Sequence, residues 1–233
     1  RAPLNVRAAL IARDPADLTD QLRALAVSDR PDAMVTLPSL DPAGSGWFFP
    51  DAMASAPARL AAIQSEEWAV RAVDELAPHL AAAFGETWRL DSRAASFALQ
   101  YAFAATLTRM SVQPLAVAGA GQGAVVAAIV AGALPLAAGA RLLAPPDDPA
   151  SVTTRAREIA SVVTEPHTRL LSVESGKLLD ADAIRSSDLW IAPVARLHQP
   201  LSGLFEDSRA VFEFTTALDL QEVLAECYRL GVG

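Results

Sequence analysis

Cysteine occurs once in the 233 residues, at Cys227. A single thiol excludes an internal disulfide framework and any cysteine-based metal cluster. Positive charge is scarce as well: 19 Lys and Arg against 27 Asp and Glu leave a net charge of −8. Neutralising a phosphate backbone needs clustered Lys and Arg. The two basic spots, Arg1 with Arg7 and Arg155 with Arg157, are too sparse for that, so no nucleic-acid partner is expected. Histidine is limited to His79, His167 and His198. None has a companion nucleophile in the sequence, so none is expected to be catalytic. Acidic residues are missing from Val112 to Leu143, which raises the question of a membrane span. Gly119, Gly121, Gly123, Gly132, Pro135 and Gly139 interrupt that stretch, and its only basic flanks are Arg109 and Arg141. So many interruptions, with single basic flanks and no cluster to fix an orientation, are better explained by a buried strand and helix, so no membrane partner is expected. Neither a metal nor a cofactor is expected. No signal peptide is visible and the first residue is Arg1, which leads us to expect a segment of a longer, cytoplasmic protein.

What is present is apolar, 52% of the chain. That suffices for one large core, or one domain with a small appendage. The chain is organised around Ala98–Leu143. Ala98 to Thr108 is rich in helix formers, Pro114 closes the connection, and Leu115 to Ala118 reads as a strand buried on both faces. Gly119, Gly121 and Gly123 then turn the chain sharply into a small-residue helix from Ala124 to Ala131. Such strand–turn–helix junctions hold nucleophiles or phosphates in α/β folds. This one has no nucleophile. Gly119 to Ala124 also fits the G-x-G-x-x-A dinucleotide pattern. The ribose-binding acid that belongs about 20 residues later is absent from Gly139–Ala144, while Asp147 and Asp148 come late, behind two prolines. Nucleotide binding is therefore the alternative reading.

Ahead of this stretch, Val6 to Ala12 reads as a strand. Asp14 and Pro15 open a helix carrying Leu18, Leu22 and Leu25, and Ala33 to Leu37 forms a second strand ended by Pro38. A loop at Asp41–Ser45 leads into the apolar Gly46–Pro50, after which Asp51 is expected to cap a helix from Ala52. Ala58 to Ala83 predicts one or two helices, interrupted near Pro78 and His79. Ser151 to Val162 predicts another. Ser172 and Ser175 are nucleophile candidates only by default, since a strand end and a turn explain them.

Several of these blocks, in this order, resemble the acyltransferase domain of modular polyketide synthases and the related malonyl transferases of fatty-acid synthesis. Ala98–Leu143 follows the family pattern without a gap. Val6–Ala26 resembles the linker between ketosynthase and acyltransferase. Arg169–Leu179, Asp188–Trp190 with Arg196–Leu201, and Val211–Phe214 with Leu220–Cys227 resemble the family's later segments. The resemblance implies a three-layer α/β core with a mainly parallel sheet and helices on both faces. The small ferredoxin-like subdomain should be missing, and a strand–helix–strand linker unit should be attached. It divides the chain into a linker unit at 1–43 and an acyltransferase-like domain at 44–233.

The same resemblance locates the family's site positions. GHSxG becomes Gly119-Ala120-Gly121-Gln122-Gly123, so the histidine position is Ala120 and the serine position Gly121. FVFPGQGSQ becomes Phe48-Phe49-Pro50-Asp51-Ala52, with the oxyanion glutamine at Ala52. Arg93 stands at a further active-site glutamine, and Pro146 at the arginine that pairs with the malonyl carboxylate. These residues imply a domain that is no enzyme, with a structural or docking role inside a polyketide or hybrid synthase. Its partners would be the neighbouring ketosynthase and other domains, an acyl carrier protein, or an acyltransferase acting in trans. The vacated cleft is expected to be open, or filled by Met53 and Pro146.

Overall fold

The computed structural model describes residues 6–27, 34–36, 44–146, 148–186, 190, 201–208 and 210–230. The N-terminal unit runs from strand β1 (Val6–Ala8) through helix α1 (Pro15–Ala26) to strand β2 (Met34–Thr36). Asp14 opens α1 as the sequence predicts, its carboxylate accepting from the Ala16 and Asp17 amides at 2.9 and 2.8 Å. Those are two of the donors that a helix start leaves unpaired. β1 stops at Ala8, short of the predicted Ala12, and its three residues pair with Met34–Thr36. The two strands pair antiparallel, Val6 opposite Thr36, in a sheet of their own.

The main sheet has four parallel strands: β3 (Ser45–Phe49), β4 (Pro114–Gly119), β5 (Arg169–Leu171) and β6 (Ala210–Glu213), in the order β5-β4-β3-β6. Helices α2 (Ala56–Ile63), α3 (Glu67–Phe84) and α4 (Ser92–Arg109) connect β3 to β4. Helices α5 (Gly123–Val130), α6 (Leu136–Leu143) and α7 (Pro149–Ala160) connect β4 to β5. The short α8 (Ala181–Arg185) and α9 (Leu201–Leu204) precede β6, and α10 (Leu220–Leu230) follows it. Between α6 and β5 the described residues hold α7 and no strand, so the small subdomain has nothing to be built from there.

Alternation along β3 divides the interior. Trp47 and Phe49 face the large core with α2 to α7, while Phe48 joins Ala116, Ala118, Leu204 and Phe205 on the other side. All five residues of β3 are buried. Phe214 packs its ring 4.5 Å from that of Phe49 and 5.3 Å from that of Trp47, in the tilted arrangement that aromatic quadrupoles favour. The buried Trp47 Nε1 donates to Ser45 Oγ at 2.8 Å, which offsets the cost of removing both from water.

Two expectations about helices need correction. α4 begins at Ser92, six residues before Ala98, because Asp91 accepts from the Arg93 and Ala94 amides. That start places Ser92 and Arg93 near the ends of β3 and β4. α3 runs through Pro78 unbroken. Pro78 and Asp74 are both exposed, so the carbonyl that loses its helical donor is free to meet water. Among the described residues no helix is long and apolar enough to cross a membrane. The acid-free stretch folds instead into β4, α5 and α6, the last two of eight residues each.

Candidate active site

The carboxyl ends of β3 and β4 lie side by side, Phe49 opposite Gly119. Open α/β sheets bind ligands beyond such ends. β4 leaves the sheet through a tight elbow: the Ala120 amide donates to the Phe49 carbonyl at 2.9 Å and the Gly123 amide to the Ala120 carbonyl at 2.8 Å. Two glycines are required here. Gly121 has φ of +53°, in the left-handed region where a side chain is strained. Gly123 lies so close to β3 that a Cβ would collide with the Phe49 carbonyl.

Asp51 decides the chemistry of this elbow. The sequence predicts that it caps a helix from Ala52, but α2 begins only at Ala56 and Asp51 turns the other way. Its Oδ1 accepts from the Ala52 amide at 2.8 Å and from the Gln122 amide at 3.0 Å. Strand–elbow–helix sites make an oxyanion hole from such a pair, the amide after the nucleophile position and an amide from a neighbouring strand's loop. A Cβ on Gly121 would collide with Asp51 Cγ and Oδ1. The carboxylate fills the space where a side chain at 121 would stand.

A cleft of about 580 Å³ opens at this point, lined by Asp51, Ala52, Ser92, Arg93, Gly121, Gln122, Pro146 and apolar residues of α5, α6 and α7. It gathers Ala52, Arg93, Gly121 and Pro146 from four separate segments. Ala120 is not among its lining. It is 4% exposed and packs with Phe48 and Leu171 in the smaller core. Of the two predicted fillers, Pro146 lines the cleft and Met53 does not. Met53 packs against the large core, its amide donating to Ser96 Oγ at 2.8 Å.

Val152, Arg155 and Trp190 also line the cleft, and none of them is among the site positions expected from the sequence. Arg155 donates to the Ala144 and Pro145 carbonyls at 2.8 and 3.0 Å, fastening α7 to the loop that carries Pro146. The capping residue Asp148 was the one legible signal, since it starts α7 through a capping box with Ser151.

The remaining candidates lie elsewhere. His167 stacks over Gly132, with its amide donating to the Ala131 carbonyl at 2.8 Å. His79 sits half-buried on α3, and His198 lies outside the described residues. Ser172 and Ser175 occupy the turn after β5, where the Gly176 amide donates to the Ser172 carbonyl at 2.8 Å. Among the described residues no group of three or more His, Cys, Asp or Glu could hold a metal. The dinucleotide reading meets a physical obstacle, because the amide that a phosphate would use at the start of α5 already faces the negative charge of Asp51.

No protein family model matches the chain, and no curated protein does. Solved structures do. The acyltransferase domain from the second module of the salinomycin polyketide synthase aligns with a TM-score of 0.72 at 16% identity, over 99% of this chain and 84% of that one. The acyltransferase domain of SpnD, in complex with 2-(pent-4-yn-1-yl)malonyl, aligns with a TM-score of 0.69 at 17% identity, over 99% and 77%. The acyl-carrier-protein S-malonyltransferase from Burkholderia pseudomallei gives 0.59 at 13% identity, over 80% and 93%. The chain has the acyltransferase fold. The expectation that the domain is no enzyme is corrected by these matches, which are to acyltransferase domains and malonyltransferases, so its fold is that of acyl-transferring enzymes.

Proposed function

We propose that this chain is an acyltransferase-fold domain of a polyketide or hybrid synthase, and that it serves there as a docking element for neighbouring domains. The observation that carries this reading is the outward face of the N-terminal unit. α1 buries none of its residues, and Leu18 and Leu22 remain 41% and 50% exposed, with Ile11 at 39% beside them. An amphipathic helix keeps an apolar stripe where something packs on it. The unit's likeness to the ketosynthase–acyltransferase linker names the partner: the preceding ketosynthase. The division at residue 43 follows, with 1–43 as the docking unit and 44–233 as the acyltransferase-fold body. β1 and β2 support it, since among the described residues they pair with each other, outside the main sheet, and lean on α10. Carrier proteins and a separate acyltransferase are the further partners of such a cytoplasmic assembly.

The test is binding of the purified chain to the ketosynthase of its own synthase, by calorimetry, beside a Leu18→Ser/Leu22→Ser variant. Binding that weakens at least tenfold in the variant supports the reading. Undiminished binding by the variant, or none by either protein, overturns it. A saturable acyl adduct from malonyl-, methylmalonyl- or acetyl-coenzyme A, read by intact mass, would give the domain a loading role instead.

A further inference from the structure

We infer that the Asp51 carboxylate is an internal ligand closing a two-amide anion site at the elbow, so that a small external carboxylate binds there only when that side chain is removed. The inference goes beyond the docking reading and does not depend on it.

Two amides converge on one carboxylate oxygen, that of the adjacent Ala52 and that of Gln122, 71 residues beyond Asp51. The Ala52 amide belongs to the loop after β3, and the Gln122 amide precedes α5, where the helix end carries partial positive charge. Hydrogen bonds to an ionised acceptor are the stronger kind, so this contact holds the loop and the elbow together. A second observation is independent of those bonds. The carboxylate stands in the volume a side chain at 121 would fill, so positions 51 and 121 compete for one space.

Access is open: Asp51 is exposed and lines the cleft with Arg93. An anion can therefore reach the amides without unfolding, provided Asp51 has left. Gln122 adds a polar pair that lacks a partner, because its side-chain oxygen and nitrogen are both shielded from solvent and make no hydrogen bond.

The experiment is chemical rescue. Asp51→Gly removes a group that acetate reproduces atom for atom. Acetate should raise the melting temperature of the variant saturably and shift the amide NMR resonances of Ala52 and Gln122. The natural protein should respond no more than it does to chloride at equal ionic strength. Equal responses from both proteins overturn the inference, as does a folded variant that ignores acetate. If Asp51→Gly does not fold, a cycle of Gly121→Ala in the natural and Asp51→Ala backgrounds decides the matter. Backbone strain at 121 is common to both backgrounds and the collision is not, so the loss in melting temperature should be about twofold larger with Asp51 present. Equal losses overturn the inference.

Discussion

The elbow block and the N-terminal unit look alike as sequence. Each has an apolar strand, a turn with a helix-starting signal, and a helix with recurring apolar residues. In the fold they part company. Trp47, Phe49, Val117 and Ala127 are fully buried, whereas α1 buries nothing. Periodicity reports that a helix has an apolar face, and only the neighbour packed on that face decides what burial it achieves. α5 is enclosed by β3, β4, α4 and α6, while among the described residues β1 and β2 make their main contacts outside their own ladder with α10. The molecule thus has a packed body that positions the cleft, and an appendage whose helix leaves Leu18 and Leu22 exposed.

The sharpest way to break this contrast is Phe49→Ala. It removes a buried ring at the centre of the body and should cost about 3–5 kcal/mol, measured by urea unfolding. A loss comparable to that of a surface change would mean that the body is loosely packed. Gly123→Ala comes next. The new Cβ meets the Phe49 carbonyl, a backbone atom that cannot swing aside, so α5 must move off β3 at a cost of about 1–3 kcal/mol.

Alkaline titration probes the junction between the two regions. Burial, reinforced by Glu226, pushes the Cys227 thiol up to about 11 from 9.0. Burial and the neighbouring Glu75 push Tyr101 up to about 12 from 10.0. Both groups hold their protons longer when folded. Their contribution is complete below the unfolded values and is lost as pH rises through 9 toward 12. The melting temperature should therefore fall across that window, and Cys227→Ala, on the helix that carries the N-terminal unit, should flatten the start of the decline. A flat profile in the natural protein would refute the buried thiol. The smallest effect belongs to Leu22→Ala, which should change the stability of the isolated chain by no more than about 0.5 kcal/mol. A loss of several times that would show α1 to be packed on the body after all.

Much of the fold was legible because its signals are local. Asp14 and Asp148 cap helices within three residues of themselves, and the glycines of the elbow mark a strand that must turn tightly into a helix. The parallel sheet and the acyltransferase likeness followed from the run Ala98–Leu143. Local signals also misled. Pro78 was read as a break, but the helix on which it stands is secured by Ala72, Val73, Leu76 and Leu80 in the core, and tertiary packing outweighs one missing hydrogen bond. The family pattern puts its histidine position at Ala120, but this residue packs in the smaller core and does not line the cleft.

By itself, the sequence determined the kinds of element, their order, and the side-chain inventory at the elbow: glycine at 121, no histidine beside it, one carboxylate nearby in the β3 loop. Short-range hydrogen bonding and hydrophobic period suffice for that much. The tertiary structure decided where the carboxylate goes. Asp51 accepts from the adjacent Ala52 amide and also bridges to Gln122, because the parallel register of β3 and β4 delivers that amide to within 3.0 Å. It also decided that α7 and Trp190 would wall the cleft. Contacts across such separations depend on how whole layers pack, and no residue carries that information alone.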